Sequence, residues 1–266
     1  MTKGAALSAL AIMVLSHVGE TVRAAARSQG ATAEVMAAAV WEQAIAAKGG
    51  RDRLRAVRNF VVSSREEFRS SPRPDVATYE YLECLYDLDG RLWEFSDHRP
   101  GLMGASGRII DVRSRFAWGS VGRPEPNAVP DLLFRFVEGQ YLYLMETAHI
   151  QPRPVSVRSE RLRNLDVDIV ETRVDDLRVD FALDRRTHLP VRVVTLRTLR
   201  PERPPFQIIY RLSNYTAIEG VQMAGAVQYG DGASDTKTSY RFNVDFDEST
   251  FDPHSVRFDV NGWMKR

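Results

Sequence analysis

The sequence predicts a mainly β chain of the α+β class: an antiparallel sheet with one apolar side, covered by helices. Three observations carry this. Four runs alternate apolar and polar residues, Leu177-Val179-Phe181-Leu183, Phe206-Ile208-Tyr210-Leu212, Val221-Met223-Val227-Tyr229 and Tyr240-Phe242-Val244-Phe246, with a less regular one from Val191 to Leu199. A period of two puts each apolar set on one face of a strand, which describes one sheet with an apolar side and a wetted side. Turn chemistry separates the runs, and two segments, 32–48 and 131–145, carry apolar residues at helical spacing instead.

In chain order, the first segment reads as an export signal. Lys3 supplies a positive charge, Ala5 to Val18 an apolar run, and Ala24-Ala25-Ala26 the small residues a signal peptidase reads. The run is shorter than the roughly 20 residues a membrane span needs. No cysteine follows it, so a lipoprotein signal is not expected. The expected organisation is a signal peptide over 1–26 and one domain over 27–266, with no transmembrane span after cleavage.

Thr32 caps a helix to about Lys48, with Glu34 in its first turn and Gly49-Gly50 as its stop. Val35, Ala39, Val40, Ala44 and Ile45 form its apolar stripe. A turn from Asp52 to Val57 leads into a strand, Asn59 to Phe68. Strands Ala77 to Leu88 and Arg91 to Ser96 are joined by Asp89-Gly90, a strong hairpin signal. The next strand is Ile109 to Trp118, with Ile110, Val112, Phe116 and Trp118 on one face. Gly119 to Pro130 is a Gly- and Pro-rich loop. Asp131 to Met145 reads as a helix interrupted at Gly139. Asp175-Asp176 and Asp231 to Asp235 read as turns between strands, and Arg200 to Pro205 as an exposed connection.

Composition removes several function classes. The 266 residues, 44% hydrophobic and 27% charged, suffice for one full core. Lys+Arg 36 against Asp+Glu 35 gives a net charge of +1, so no global field is available to hold nucleic acid or an anionic membrane. Cys84 is the sole cysteine, which excludes an intrachain disulfide; in Leu82-Cys84-Tyr86-Leu88 it sits on one face of a strand, as a buried inert thiol. His98, His149, His188 and His254 are scattered without ligand spacing, so no zinc site is expected. No phosphate loop, HExxH or GxSxG motif occurs, and no cofactor or enzymatic activity is expected.

Several short motifs resemble one family. Leu183-Asp184-Arg185-Arg186-Thr187-His188-Leu189-Pro190-Val191-Arg192-Val193 is similar to a strand-turn-strand segment of the periplasmic LolA/LolB-like lipoprotein-carrier superfamily. Tyr210 to Met223, with Tyr215 and Ile218-Glu219-Gly220-Val221, resembles its next strand pair. Ala47-Lys48-Gly49-Gly50 with Leu54 and Val57 resembles its helix end and first strand entry, and Phe251-Asp252-Pro253 its closing segment. Ala224 stands where a proline is common, and the interior arginine of the lipoprotein carrier has no counterpart that can be placed.

The resemblance implies a strongly curved, incomplete antiparallel barrel of about eleven strands, covered by helices, with an apolar concavity that takes acyl chains. Inward candidates for lining it are Phe116, Trp118, Phe181, Tyr210, Tyr240 and Phe242. The phenols of Tyr210 and Tyr240 need partners if buried. Two functions follow as expectations. One is an exported, periplasmic and monomeric carrier for an acyl chain, a lipoprotein or another apolar ligand. The other is an envelope sensor or scaffold that binds a protein partner with the same fold, its concavity filled by its own side chains.

Overall fold

The computed structural model describes residues 32–69, 77–97, 105–119, 123–124, 129–174, 177–197, 206–230 and 235–254. The export signal, Asp175-Asp176, the connection 200–205 and most of the 231–235 loop lie outside the described residues. The described strands number thirteen, two more than expected, and they form two antiparallel sheets.

The first sheet has the order β13-β1-β2-β3-β4-β5-β6, from β1 (Asn59–Arg69), β2 (Ala77–Asp87), β3 (Arg91–Asp97), β4 (Ala105–Asp111), β5 (Phe116–Gly119), β6 (Arg123–Pro124) and β13 (Asp235–Phe242). The second has the order β12-β11-β10-β9-β8-β7, from β7 (Arg153–Leu162), β8 (Leu165–Val174), β9 (Leu177–Asp184), β10 (Pro190–Arg197), β11 (Phe206–Ile218) and β12 (Val221–Tyr229). Strands β12 and β13 lie side by side, so the two sheets continue one curved surface that does not close. At this seam the buried Tyr240 hydroxyl donates to the carbonyl of Ala224 at 2.9 Å.

This corrects the single sheet expected for the second half of the chain. The last alternating run leaves its neighbours and pairs with β1, in the register Val62↔Tyr240 and Phe60↔Phe242. It also ends at Phe242. Val244 and Phe246 pack instead on the opposite face of the first sheet, with Val61, Leu85, Trp93, Phe95, Ile109 and Phe251. That face is therefore no wetted side, because the closing segment covers it. Arg91 stacks over Phe251 at 4.5 Å and pairs with Asp87 and Glu248, holding the short 3-10 turn Glu248–Phe251 down.

Two helices cover the inner face of the surface. Helix α1 (32–48) lies on the second sheet, where Trp41 meets Phe181 edge-on at 5.0 Å. The expected turn after it is a short helix, α2 (Arg51–Ala56). Helix α3 (Val129–Leu144) is continuous through Gly139, where an interruption was expected. A Cβ at Gly139 would stand 2.2 Å from the Tyr86 hydroxyl and 2.5 Å from Cζ, so the glycine serves close helix-on-sheet approach, not a break. The segment 109–118 is likewise not one strand but a hairpin. Asp111 Oδ1 accepts from the amides of Arg113 and Ser114 and turns the chain at 112–115.

The motifs that carried the family resemblance meet one another in space. Asp184 closes the β9–β10 turn by accepting from the Arg186 amide at 3.0 Å and the Thr187 hydroxyl at 3.1 Å. The Tyr215 hydroxyl donates to the Pro190 carbonyl at 2.7 Å. Gly49 abuts the β11–β12 turn, where a Cβ would come within 2.5 Å of the Gly220 oxygen. Lys48, 1% exposed, donates to the Gln222 carbonyl and lies over the Tyr215 ring. These residues seat α1 on the second sheet.

Candidate functional site

The inner face of the first sheet is ordered in rungs that change character along the strands. Strand register aligns Phe242, Phe60, Tyr86, Leu92 and Ile110 in the lowest rung, which is wholly apolar or aromatic. The next aligns Tyr240, Val62, Cys84, Glu94 and Arg108. Above it stand Thr238, Ser64, Leu82, Ser96 and Ser106, then Thr236, Glu66 and Glu80. Alternation alone sets which residues face inward; antiparallel register sets which rung each joins.

Helix α3 covers the lower rungs and leaves the upper ones open. A cavity of about 550 Å³ results, bounded by the upper rungs, by Arg135, Glu138, Gly139, Leu142 and Tyr143 of α3, and by Ile208, Tyr210, Val227 and Tyr229 of the second sheet. Its size is that of a small-molecule site. The wall is mixed, which corrects the apolar concavity expected: aromatic and aliphatic side chains dominate the lower rungs, where Glu94, Arg108 and Glu138 also stand, and hydroxyls and carboxylates dominate the upper ones.

The charges of the wall are largely committed to each other. Glu94 faces Arg108 at 3.3 Å and Arg135 at 3.6 Å. Glu138 accepts from the Thr195 hydroxyl at 2.8 Å and hydrogen-bonds Tyr210; burial pushes its carboxyl above the usual range. Ser96 and Ser106 bond each other at 2.8 Å. The hydroxyls of Thr236 and Thr238 are buried and have no partner among the described residues. Tyr210 and Tyr229 meet edge to face at 5.8 Å, Tyr229 being 61% exposed.

Of the six candidates read from sequence, Tyr210 lines this cavity. Tyr240 lies in the adjoining core, its hydroxyl spent on the seam. Phe181 is wholly buried between Trp41 and Tyr141, and Phe242 is in the same core. Trp118 pairs with Ile109 and packs on the outer face, and Phe116 pairs with Asp111 on that face too. A single strand over 109–118 would place both inward; the turn at 112–115 reverses the chain and leaves Ala117 beside Ile110 inside. Sequence reasoning missed Tyr86, Tyr143, Thr236, Thr238 and the charged rim. Tyr86 and Cys84 were legible as one strand face, and continuing that face to Glu80 signals its polar end.

Cys84 is buried in the cavity wall, and burial drives its thiol well above the usual range, which leaves it a poor nucleophile. Among the described residues no histidine lines the cavity. Among the described residues no cluster of His, Cys, Asp and Glu is arranged to hold a metal ion, and no helix is long and apolar enough to cross a membrane.

No protein-family model and no curated protein matches the chain. Solved structures do. The LolA superfamily protein NE2245 from Nitrosomonas europaea is 12% identical, with 81% of this chain and 96% of that one covered at a TM-score of 0.47. An outer membrane lipoprotein-sorting protein domain from Vibrio parahaemolyticus is 11% identical, with 85% and 97% covered at 0.44. A DUF1329 family protein from Desulfovibrio piger is 11% identical, with 80% and 95% covered at 0.38. The fold class itself rests on the curved pair of sheets and the helices over them.

Proposed function

We propose that this chain is an exported, non-enzymatic binding or carrier protein, whose cavity beside α3 takes an amphipathic ligand. The observation that carries the reading is the graded wall: aromatic and aliphatic depth under Gly139, Leu142 and Tyr143, and a polar rim at the ends of β1, β2 and β13. An acyl or comparable apolar chain would lie against the depth and its head at the rim. About ten buried methylenes at ~0.8 kcal/mol each supply about 8 kcal/mol before association costs. The reading extends to a periplasmic location after removal of residues 1–26.

The test is direct. Protein purified from its native envelope is extracted with organic solvent and the extract analysed by mass spectrometry, while the N-terminus is sequenced. A stoichiometric amphipath and a start at Arg27 support the reading. An intact Met1 from the cytoplasm would sink the export assignment. Absence of any amphipath, together with no melting shift on adding one, would shift the assignment to protein binding through the same fold.

A further inference from the structure

The rim of the cavity carries enough detail to say what kind of head group it reads; this inference rests on the cavity being the ligand site. Three observations bear on it. The two arginines of the wall share one carboxylate, Glu94, at 3.3 and 3.6 Å, while the rung of Thr236 holds the carboxylates of Glu66 and Glu80, which repel an anionic head beside the threonines. The hydroxyls of Thr236 and Thr238 are buried and unpartnered among the described residues, and Thr236 is only 6% exposed. Both line the cavity, two residues apart on the inner face of β13. A buried hydroxyl without a partner is a cost to the empty protein, and a ligand that supplies the partner removes that cost.

The remaining wall continues the same chemistry. Ser64 and Leu82 stand beside Thr238 in its rung, and Glu66 and Glu80 beside Thr236 in the next. The exposed Tyr229, braced edge-on by Tyr210, presents a ring at the opening. Hydroxyls that donate and accept, carboxylates that accept, and an aromatic face suit a head that is itself rich in hydroxyls.

We propose that the cavity selects an amphipath with an uncharged, hydroxyl-rich head of the sugar or glycerol class over one with an anionic or cationic head. The threonine pair reads the head, and the β1, β2 and α3 side chains below it hold the tail.

The experiment uses the delipidated full-length protein and three probes with one ten-carbon tail, each below its micelle concentration: decyl maltoside, decanoate and decyltrimethylammonium. Calorimetric titration is expected to give decyl maltoside an affinity about tenfold or more above the other two, the worth of one or two buried hydrogen bonds. The isosteric double variant Thr236→Val/Thr238→Val removes two unsatisfied hydroxyls. It is expected to melt above the parent without ligand, yet to lose about tenfold in maltoside affinity with decanoate unchanged. Ser239→Ala, on the other face of β13, should change neither.

A merely structural role for the threonines would not produce opposite signs for stability and binding. If decanoate or the ammonium binds as tightly as maltoside, or if the double valine variant binds maltoside as the parent does, the head-group assignment is overturned while the cavity reading stands. If none of the three binds, the cavity reading itself fails and this inference falls with it.

Discussion

Gly139 shows how one residue decides the geometry of the site. In a sequence it marks a weak point of a helix; in the structure it lets α3 settle on Tyr86, whose ring is stacked on Phe60 at 4.6 Å and cannot easily retreat. Gly139→Ala gains about 1 kcal/mol of helix propensity but overpacks a filled site at about 1–3 kcal/mol. A net loss of stability is expected in urea denaturation, together with a smaller cavity. Lys48 makes a second prediction at this scale. Its burial without a carboxylate partner pushes its pKa down to about 7 from 10.5. Between those values the unfolded chain holds a proton that the folded chain has lost, so stability rises with pH from about 7 to 10.5; below 7 the full cost of the buried charge is present. The rise approaches ~1.4 kcal/mol per pH unit for this one group. Lys48→Met should flatten it, and denaturation midpoints at pH 6, 8 and 10 measure the difference.

At the scale of elements, short helices and strands here are stabilised by specific neighbours more than by their own propensity. Helix α2 is six residues long, too short to persist alone. It is fixed by Glu146, just past the end of α3, whose carboxylate accepts from Arg51 at 2.8 Å and from Arg55 at 2.7 Å. The side chain of Glu146 is 3% exposed, while both arginines keep about a third of their surface in water. Glu146→Ala is therefore expected to cost about 2 kcal/mol, below the 3–5 kcal/mol of a fully buried pair. Amide exchange should quicken in α2 ahead of the β1–β2 hairpin. Edge strand β7 shows the opposite economy. It is largely exposed, and Pro154, Arg158 and Glu160 make it a poor template for a further strand.

At the scale of the whole molecule, a filled core and an open cavity share one concave surface. Phe242 belongs to the filled part: it is 6% exposed, in register with Phe60, and absent from the cavity wall. Phe242→Ala should therefore cost the full 3–5 kcal/mol of a well-packed phenylalanine. Read by urea denaturation, a much smaller loss would mean that the cavity, which meets Tyr86 of that rung, extends along it to Phe242. A ligand in the upper rungs stabilises by mass action, so its melting shift should survive Phe242→Ala and be lost when Leu142→Asp puts a charge in the depth. The seam belongs to this scale as well, since the Tyr240 hydroxyl on Ala224 ties the first sheet to the second.

The sequence by itself determined the mainly β class, most strand faces, the Asp89-Gly90 hairpin, the first helix and its Gly49-Gly50 stop. Each of these follows from local periodicity or from backbone conformations that few residues adopt, as at Gly49, Gly90 and Gly220, all with positive φ. It also held the turn motifs of Asp184 and Glu219-Gly220, whose side chains and backbone close on themselves. Only the tertiary structure decided that β13 joins β1, that Trp118 faces outward, and that a cavity opens among polar rungs. The physical reason is that a period of two assigns a face but no partner. Which strand lies alongside, and in which register, depends on residues some 180 positions apart, such as Val62 and Tyr240. The rungs of the site exist only after that pairing is made.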